Sequence, residues 1–341
     1  MIIAIDAMGG DKGISVVVEG LAQALAQYSD VEFLLFGDEK KIAHEIKIAR
    51  AKLAPERYRI HHTSENIEMT DKLDALRHKR DSSIARSTEA VKSGEAQGVV
   101  AIGSTMAAVA CATLILRTLP GVKRPGIAVP MPNPQGFTIL CDAGASVNPK
   151  PEHLLSYGLM ASLHSQLVLG KANPRVGLLN VGEERGKGSE FINEVFELLT
   201  KADVNFVGNA EGRQIFTGEF DVVVTDGFTG NIVLKTAEGT AELMRDIIKE
   251  ELTRNLVRAV AAKVAQPAFT ALKKRTDYSE AGGGVLLGVR GVVTIGHGRS
   301  DGRAVFNAIR VTREAIKAGL IEKITQAVEQ VKPLTQPSAA S

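Results

Sequence analysis

Polar side chains and glycines share a short segment, residues 225–231, which directly follows an apolar run. Its members are Asp226, Gly227, Thr229, Gly230 and Asn231. The glycines allow the backbone to turn tightly and to approach a ligand closely. A helix-compatible stretch follows at 232–249, and the N–H groups at a helix start suit an anion. The segment predicts either an anion-binding turn or an ordinary strand-to-helix turn with Thr229 as its N-cap.

Four other segments repeat this arrangement of an apolar strand that leads into a polar, glycine-containing turn. The strands are 2–5, 99–102, 138–140 and 176–179, and the turn residues after them include Asp6, Gly9, Gly10, Gly103, Ser104, Thr105, Asp142, Ser146, Asn180 and Glu183. Strands that alternate with helical patterns predict a parallel sheet, and ligands bind beyond the carboxyl ends of such strands. We therefore expect an α/β fold in which these turns crowd one edge of the sheet and build a site.

The composition limits the possible fold classes and cellular locations of the protein. The 341 residues suffice for one large domain or two of ordinary size, and 44% apolar residues without tryptophan supply an aliphatic core. A net charge of +2 argues against a general nucleic-acid binder. We see no secretory signal, and the longest apolar run, 106–116, is too short to span a bilayer. Cys111 and Cys141 lie in apolar runs. We expect a soluble cytoplasmic protein with buried, reduced cysteines.

The sequence shows no sharp domain boundary. The proline-rich segment 120–134 is the strongest compositional break, and it predicts either a crossing between two halves of one sheet or a clasp between them. Residues 332–341 are small and polar, which is typical of a frayed terminus. We therefore expect a single α/β domain over 1–331 and a flexible tail over 332–341.

Nucleotide and metal motifs are incomplete. Residues 182–189 resemble a P-loop but have three residues instead of four between the glycines, and glycine follows the lysine. Residues 296–301 lack the last glycine of a dinucleotide fingerprint. No His/Cys spacing indicates zinc, and no serine lies in a Gly-x-Ser-x-Gly elbow. His297, between two glycines after a strand, is the histidine best placed for function.

The opening of the chain, Ile3-Ala-Ile-Asp-Ala-Met-Gly-Gly-Asp11, resembles that of the bacterial phosphate acyltransferases, the acyl-carrier-protein:phosphate acyltransferases of the PlsX type. Similar segments cover nearly everything except the tail. They are 150–154, 174–183, 221–231, 277–280 with 282–283, 286–288, 297–298 and 304–310. The resemblance implies a Rossmann-like α/β/α fold, similar to phosphotransacetylases and isopropylmalate dehydrogenases, assembled as a homodimer.

The resemblance also implies a reaction. Acyl carrier protein loaded with a long acyl chain reacts with inorganic phosphate to give acyl phosphate and the free carrier, without metal or organic cofactor. The product would feed phospholipid synthesis through an acyl-phosphate-dependent glycerol-3-phosphate acyltransferase. Lys187 and Asn231 match the family positions associated with catalysis. We expect Lys187 to offset phosphate or oxyanion charge and Asn231 to orient the reacting groups.

The polar turns suit this chemistry, because a phosphate oxygen must be held against a thioester carbonyl. Holding both reactants in line can lower the activation barrier by on the order of 7 kcal/mol or more. Each donor that faces the oxyanion typically increases the reaction rate by about 10²–10³. Asp6, Asp142 and Asp226 either contact ligand or support their turns through hydrogen bonds. Since a carboxylate repels phosphate, we expect these three to orient their neighbours.

Two turns depart from the family pattern. Family members carry Ser-Ala-Gly-Asn-Thr-Gly-Ala where this chain has 101–107, so Ser104 replaces asparagine and Met106 replaces glycine. The family's Gly-Ala-Asn-Val-Asp becomes a segment with Ser146 and Asn148. These changes predict an altered pocket wall, in which Met106 either blocks part of a channel or packs inside the following helix.

A basic, amphipathic excursion is predicted at about 240–276. Its apolar stripe recurs at every fourth position, in Leu252, Leu256, Val260 and Val264. Its basic residues include Arg254, Arg258, Lys263, Lys273, Lys274 and Arg275. Pro267 should split it into two short helices. Such a pair can lie on an anionic membrane surface, and the resemblance implies peripheral membrane association near a dimer interface. An ordinary packed helix with solvated charges is the alternative.

Three functions remain open at this point. The first is acyl transfer from acyl carrier protein to phosphate. The second is acyl transfer from another thioester such as acyl-CoA, which the altered turns favour. The third is a catalytically weakened relative that serves as a dimeric binding module for the carrier or a membrane, although the retained Glu183, Lys187 and 226–231 turn argue against it.

Overall fold

Short apolar segments form the strands of one central sheet. The computed structural model describes residues 1–49, 53–67, 71, 75–276, 280 and 282–331. The strands among these residues are β1 (Ile2–Asp6), β2 (Glu32–Gly37), β3 (Tyr58–His62), β4 (Gly98–Ile102), β5 (Gly126–Asn133), β6 (Gly136–Cys141), β7 (Val176–Leu179), β8 (Phe206–Ala210), β9 (Val222–Val224), β10 (Gly284–Leu287) and β11 (Val292–Gly296). Their order across the sheet is β3-β2-β1-β4-β11-β10-β5-β6-β9-β7-β8.

The sheet contains two parallel groups of strands that run in opposite directions. The first group is β3, β2, β1, β4 and β11, and the second is β6, β9, β7 and β8. Between them, β10 and β5 pair antiparallel with each other and with β11 and β6 respectively. The predicted mostly parallel sheet is confirmed. The expectation that the polar turns share one edge is wrong, because these antiparallel pairings place the two groups' carboxyl ends at opposite edges.

Helices cover both faces of the sheet. They are α1 (Ile14–Gln27), α2 (Glu39–Ile48), α3 (Ala75–His78), α4 (Ser83–Lys92), α5 (Thr105–Cys111), α6 (Pro151–Val168), α7 (Glu190–Thr200), α8 (Gly227–Thr253), α9 (Leu256–Val264), α10 (Gln266–Thr276), α11 (Gly302–Lys317) and α12 (Leu320–Val331). A π-helical turn, Ala112–Leu116, continues α5. Helices on both faces of one sheet form the predicted three-layer α/β/α arrangement. The buried core between these layers is mainly aliphatic.

The start of α8 differs from the prediction. The helix begins at Gly227, and Asp226 rather than Thr229 is its N-cap. The Oδ1 atom of Asp226 accepts a hydrogen bond from the Thr229 amide at 2.9 Å. The proline-rich segment forms β5, which lies between the two strand groups. This position corresponds to a crossing between the halves of the sheet.

The predicted excursion is broken directly before Pro267, as expected, and at a second position, Asn255. Asn255 caps α9 by accepting a hydrogen bond from the Arg258 amide at 2.9 Å, so Leu252 belongs to α8 while the rest of the predicted stripe lies on α9. The expected single stripe is therefore wrong, and Pro267 lies in the first turn of α10. The tail at 332–341, motif residues 277–279 and the side chains of 273–275 lie outside the described residues. Over the described helices, none is both long and apolar enough to cross a bilayer.

Candidate functional site

A cavity of about 960 Å³ lies on one face of the sheet, between α5 and α8. Its floor comes from the central strands through the apolar side chains of Ile127, Val129 and Ile295. One wall consists of Thr105, Met106, Val109, Ala110, Thr113 and Leu114, and the other of Asn231, Leu234, Lys235 and Glu238. Each strand group therefore supplies one wall, and the volume lies in the usual range for a small-molecule site.

The cavity reaches from one edge of the sheet to the other. At the edge where β6 and β9 end, Asn231 lies near Gly144, and Lys123 and Arg124 precede β5. α8 then runs back across the sheet, since its Lys235 and Glu238 approach the imidazole of His297, directly after β11. The cavity thus has two polar regions with apolar side chains between them.

The start of α8 is held tightly against the turn after β6. The Gly227 amide donates to the Ser146 carbonyl at 2.9 Å. A Cβ added at Gly230 would lie only 1.9 Å from the backbone oxygen of Asp142, so glycine is required for this approach. The consequence is a fixed position for Asn231, whose side chain faces Gly144 across the cavity wall.

Asp142 organises that turn from inside the protein. The buried carboxylate accepts backbone hydrogen bonds at 2.8 to 3.0 Å, from the amides of Ile127, Gly144, Ala145 and Ser146. Burial raises the pKa of Asp142, and the four N–H groups oppose that shift. Asp142 and Ser146 shape the turn, whereas Ala143, Gly144 and Ala145 line the cavity.

At the opposite edge, the turns after β1 and β4 interlock. A Cβ at Gly9 would lie 1.7 Å from the Ile102 carbonyl oxygen, so the two backbones meet only because Gly9 has no side chain. Gly10 and Gly103 lie at the same contact. Asp6 accepts a hydrogen bond from the Met8 amide at 3.1 Å, and burial raises its pKa. Asp6 and the three glycines support the turns, and none of these four residues lines the large cavity.

The altered turn after β4 contributes directly to the cavity wall. Ser104 is the N-cap of α5, and its Oγ atom accepts a hydrogen bond from the Ala107 amide at 3.2 Å. Thr105 and Met106 line the cavity, and Met106 is half exposed. Met106 therefore adds its bulk inside the cavity and not in the packed layer behind it.

The turn that carries Lys187 follows β7, which neighbours β9 in the sheet. Asn180 fixes this turn by donating to the Lys187 carbonyl at 3.0 Å. The Lys187 ammonium lies 3.7 Å from Glu184, with 55% of its side chain exposed, and Glu183 pairs with Arg213 at 3.1 Å. Lys187 does not line the cavity. Because β7 neighbours β9, Lys187 and Asn231 share one edge of the sheet, and their joint action on one substrate stays a prediction.

His297 belongs to a polar cluster on the cavity wall. Its Nε2 atom lies 3.3 Å from Nζ of Lys235 and 3.8 Å from Glu238, and its Nδ1 atom accepts from the Arg299 amide at 3.2 Å. Lys235 and Glu238 pair at 2.8 Å. Burial and the nearby Lys235 lower the pKa of His297. We call Lys235, Glu238 and His297 the α8 cluster.

Sequence reasoning missed Lys235 and Glu238, as well as Lys123 and Arg124. The two α8 residues follow Asn231 by four and seven positions, which is the spacing of one helix face. That signal could have found them. The Lys-Arg pair directly precedes Pro125 and carried no comparable signal.

The two cysteines lie inside the protein. Cys111 and Cys141 are buried and unpaired, and burial raises the pKa of both thiols. In the described part of the chain, no group of three or more His, Cys, Asp or Glu side chains is arranged to hold a metal ion.

Solved structures share this fold at low sequence identity. A phosphotransacetylase from Streptococcus pyogenes superposes with a TM-score of 0.61 and 17% identity, covering 96% of this chain and 94% of that one. A 4-hydroxythreonine-4-phosphate dehydrogenase from Klebsiella pneumoniae gives a TM-score of 0.53 and 13% identity, covering 96% and 99%. These likenesses concern the fold alone, and they confirm the predicted Rossmann-like class.

Sequence comparisons reach further. A family model described as "Fatty acid synthesis protein" matches residues 1–323. A phosphate acyltransferase from Pelotomaculum thermopropionicum (strain DSM 13744 / JCM 10971 / SI) is 44% identical over 333 residues, covering 97% of this chain and 96% of that protein. One from Geobacillus sp. (strain WCH70) is 43% identical over 333 residues, covering 97% and 99%. Since these matches extend over nearly the whole chain, the protein belongs to the phosphate acyltransferase family of acyltransferase enzymes.

Proposed function

We propose that this enzyme transfers a fatty acyl group from acyl carrier protein to inorganic phosphate and that the acyl phosphate enters phospholipid synthesis. Family membership supports acyl transfer to phosphate. The motifs shared with acyl-carrier-protein:phosphate acyltransferases support the choice of carrier and the downstream use of the product.

The observation that carries the proposal is the composition of the cavity. Its floor and middle are apolar, with Val109, Val129 and Leu234 among the lining side chains. An alkyl chain gains about 0.8 kcal/mol for each CH₂ group that it buries there. Asn231 and two cations, Lys123 and Arg124, supply hydrogen-bond donors at one end. An acyl chain with a polar, reactive head fits this combination.

The reaction requires little from the protein besides position and charge. A phosphate oxygen attacks the thioester carbonyl carbon, and a C–O bond forms as the carbonyl oxygen becomes an oxyanion. The intermediate then collapses, the C–S bond breaks, and the carrier thiolate leaves and takes up a proton from solvent. In our proposal the Asn231 amide donates to the reacting oxygens, and Lys187 approaches from the neighbouring turn to offset their charge.

Two of the turn carboxylates are engaged in hydrogen bonds within the protein. Asp226 accepts hydrogen bonds from the Thr229 amide and hydroxyl, while Asp142 accepts four backbone bonds. Oxygens that are engaged in this way hold turns in place without facing a phosphate. Asp6, Asp142 and Asp226 therefore act in our proposal through the loops that they order.

Acyl transfer from acyl-CoA is the second candidate, because Met106 places an unusual bulky side chain in the cavity. The test incubates the purified protein with ³²P-phosphate and either acyl carrier protein or CoA carrying the same acyl chain. We expect labelled acyl phosphate with a higher kcat/KM for the carrier. A preference for CoA would select the second candidate, and no product from either donor would indicate a non-catalytic binding module.

We further propose that the excursion formed by α8, α9 and α10 contacts a second copy of the chain and an anionic membrane surface. Its apolar side chains are exposed, with Leu256 at 85% and Val260 at 65%. Large exposed apolar patches mark interaction surfaces. Arg254 and Arg258 lie beside this patch, although both pair with Glu251. We assign α9 to the membrane and the exposed Leu243 and Ile247 of α8 to the homodimer.

A further inference from the structure

We propose that Lys235 is a catalytic residue that binds the phosphate substrate inside the cavity, held in place by Glu238 and His297 as positioning residues. This inference rests on the proposed function, since it assigns phosphate, a substrate of that reaction, to a particular cation.

The position of Lys235 supports this assignment. It lies one helical turn after Asn231 on the same face of α8, and side chains at this spacing have Cβ atoms about 5–6 Å apart. Both residues line the cavity, whereas Lys187 does not. A phosphate that contacts Lys235 is thus within reach of the amide proposed to act on the thioester.

The partners of Lys235 fix its side chain without occupying its full donor capacity. Glu238 accepts from Nζ at 2.8 Å, and Nε2 of His297 lies 3.3 Å away. An ammonium group has three N–H donors, so these contacts use at most two. The Lys235 side chain is 52% exposed, and Lys235 is one of the residues that line the cavity.

The charges around the α8 cluster balance one another. Lys235 pairs with Glu238 at 2.8 Å, and the guanidinium of the nearby Arg299 pairs with Glu242 at 3.0 Å. A bound phosphate would add hydrogen bonds to Lys235, and Glu238 would keep the lysine from swinging out of the cavity. Fixing a flexible side chain beforehand lowers the entropic cost of binding.

The decisive experiment compares Lys235→Gln, Lys235→Arg and Lys323→Gln with the wild-type enzyme. Lys323 is exposed on α12, outside both the cavity and the proposed contact surfaces, and serves as the matched control. We expect Lys235→Gln to raise KM for phosphate at least tenfold while KM for the acyl donor stays within twofold. Lys235→Arg should give a smaller increase, and Lys323→Gln should match the wild type. A KM for phosphate that is unchanged in Lys235→Gln would overturn the proposal.

Calorimetric titration with inorganic phosphate alone gives a readout that does not require turnover. Wild-type enzyme should bind phosphate, Lys235→Gln should bind at least tenfold more weakly, and Glu238→Gln should fall between them. If the wild-type protein forms no acyl phosphate yet shows this pattern, the proposed reaction fails while the phosphate site stands. Equal phosphate affinity in wild type and Lys235→Gln contradicts the site itself.

Discussion

Individual residues around the cavity fall into two classes. The first class lines the cavity, and the second class supports the backbone of its walls. Asn231 and Lys235 line the cavity, while Asp142 and Asp226 accept hydrogen bonds from backbone amides of the surrounding turns. A substitution in the first class should change kinetics and leave the fold intact. A substitution in the second class should also change stability, because it leaves backbone donors without acceptors.

Replacement of Asn231 by alanine tests the first class. We expect kcat to fall by about 10²–10³, the usual effect of removing one donor that faces an oxyanion. Steady-state kinetics with labelled phosphate measures it, and unchanged circular dichroism shows that the fold persists. Asn173→Ala, at an exposed site away from the cavity, is the control. Full activity of Asn231→Ala would refute its catalytic role.

His164 makes a separate prediction about stability and pH. Its ring is buried, its Nδ1 atom has no hydrogen-bond partner among the described residues, and burial lowers its pKa to about 4 from 6.5. Between those values the unfolded chain binds more protons than the folded chain, so the free energy of unfolding decreases as the pH falls. The loss should reach on the order of 3 kcal/mol by pH 4.

Urea unfolding of the wild type, His164→Leu and His44→Gln at pH 7 and pH 4.5 measures this contribution. His164→Leu should lose part of the pH dependence, whereas His44→Gln, at an exposed position, should keep all of it. An identical pH dependence in His164→Leu and the wild type would show that the buried imidazole does not titrate as expected.

Among secondary-structure elements, the contact between the start of α8 and the turn after β6 determines where Asn231 lies. Gly230→Ala adds a Cβ that must displace α8, because the Asp142 oxygen would be 1.9 Å away. We expect a loss of about 1–3 kcal/mol in unfolding free energy and a clear drop in kcat/KM. Gly239→Ala, on the same helix, adds a Cβ that meets no atom of the described residues within 4 Å, so this variant should instead gain about 0.5–1 kcal/mol. Denaturant titration measures the unfolding free energy of both variants, and steady-state kinetics measures their kcat/KM. Equal values for Gly230→Ala and Gly239→Ala would contradict this packing.

The elements near the site were partly readable from the sequence. The turn at 225–231 is recognisable because glycines and polar groups directly follow a buried strand. The change of strand direction at the centre of the sheet is harder to predict from the sequence, since β10 is only four residues long. The Asn133-Pro134 pair before β6 is a turn signal and indicates the β5–β6 hairpin. The regular apolar spacing of residues 252–264 led to the wrong prediction of one continuous stripe. The reason is Asn255, whose side chain caps the start of α9 directly after the end of α8.

For the molecule as a whole, the excursion predicts membrane binding that depends on α9. Val260→Glu should weaken flotation with liposomes rich in anionic lipid roughly tenfold, because burial of a valine side chain contributes about 1.5 kcal/mol or more. Ile48→Glu replaces an apolar side chain of similar exposure on α2 and should float like the wild type. Binding that persists in Val260→Glu, or no binding by the wild type, would remove α9 from the membrane.

The position of β10 and β11 bears on how the chain is made. Residues 284–296 pair with β4 on one side and β5 on the other, so the centre of the sheet is translated after both flanks. Until those residues leave the ribosome, β4 and β5 each present a bare apolar edge of the kind that recruits other chains. A nascent polypeptide that stops before residue 284 would therefore aggregate, and chaperone demand should peak late in synthesis.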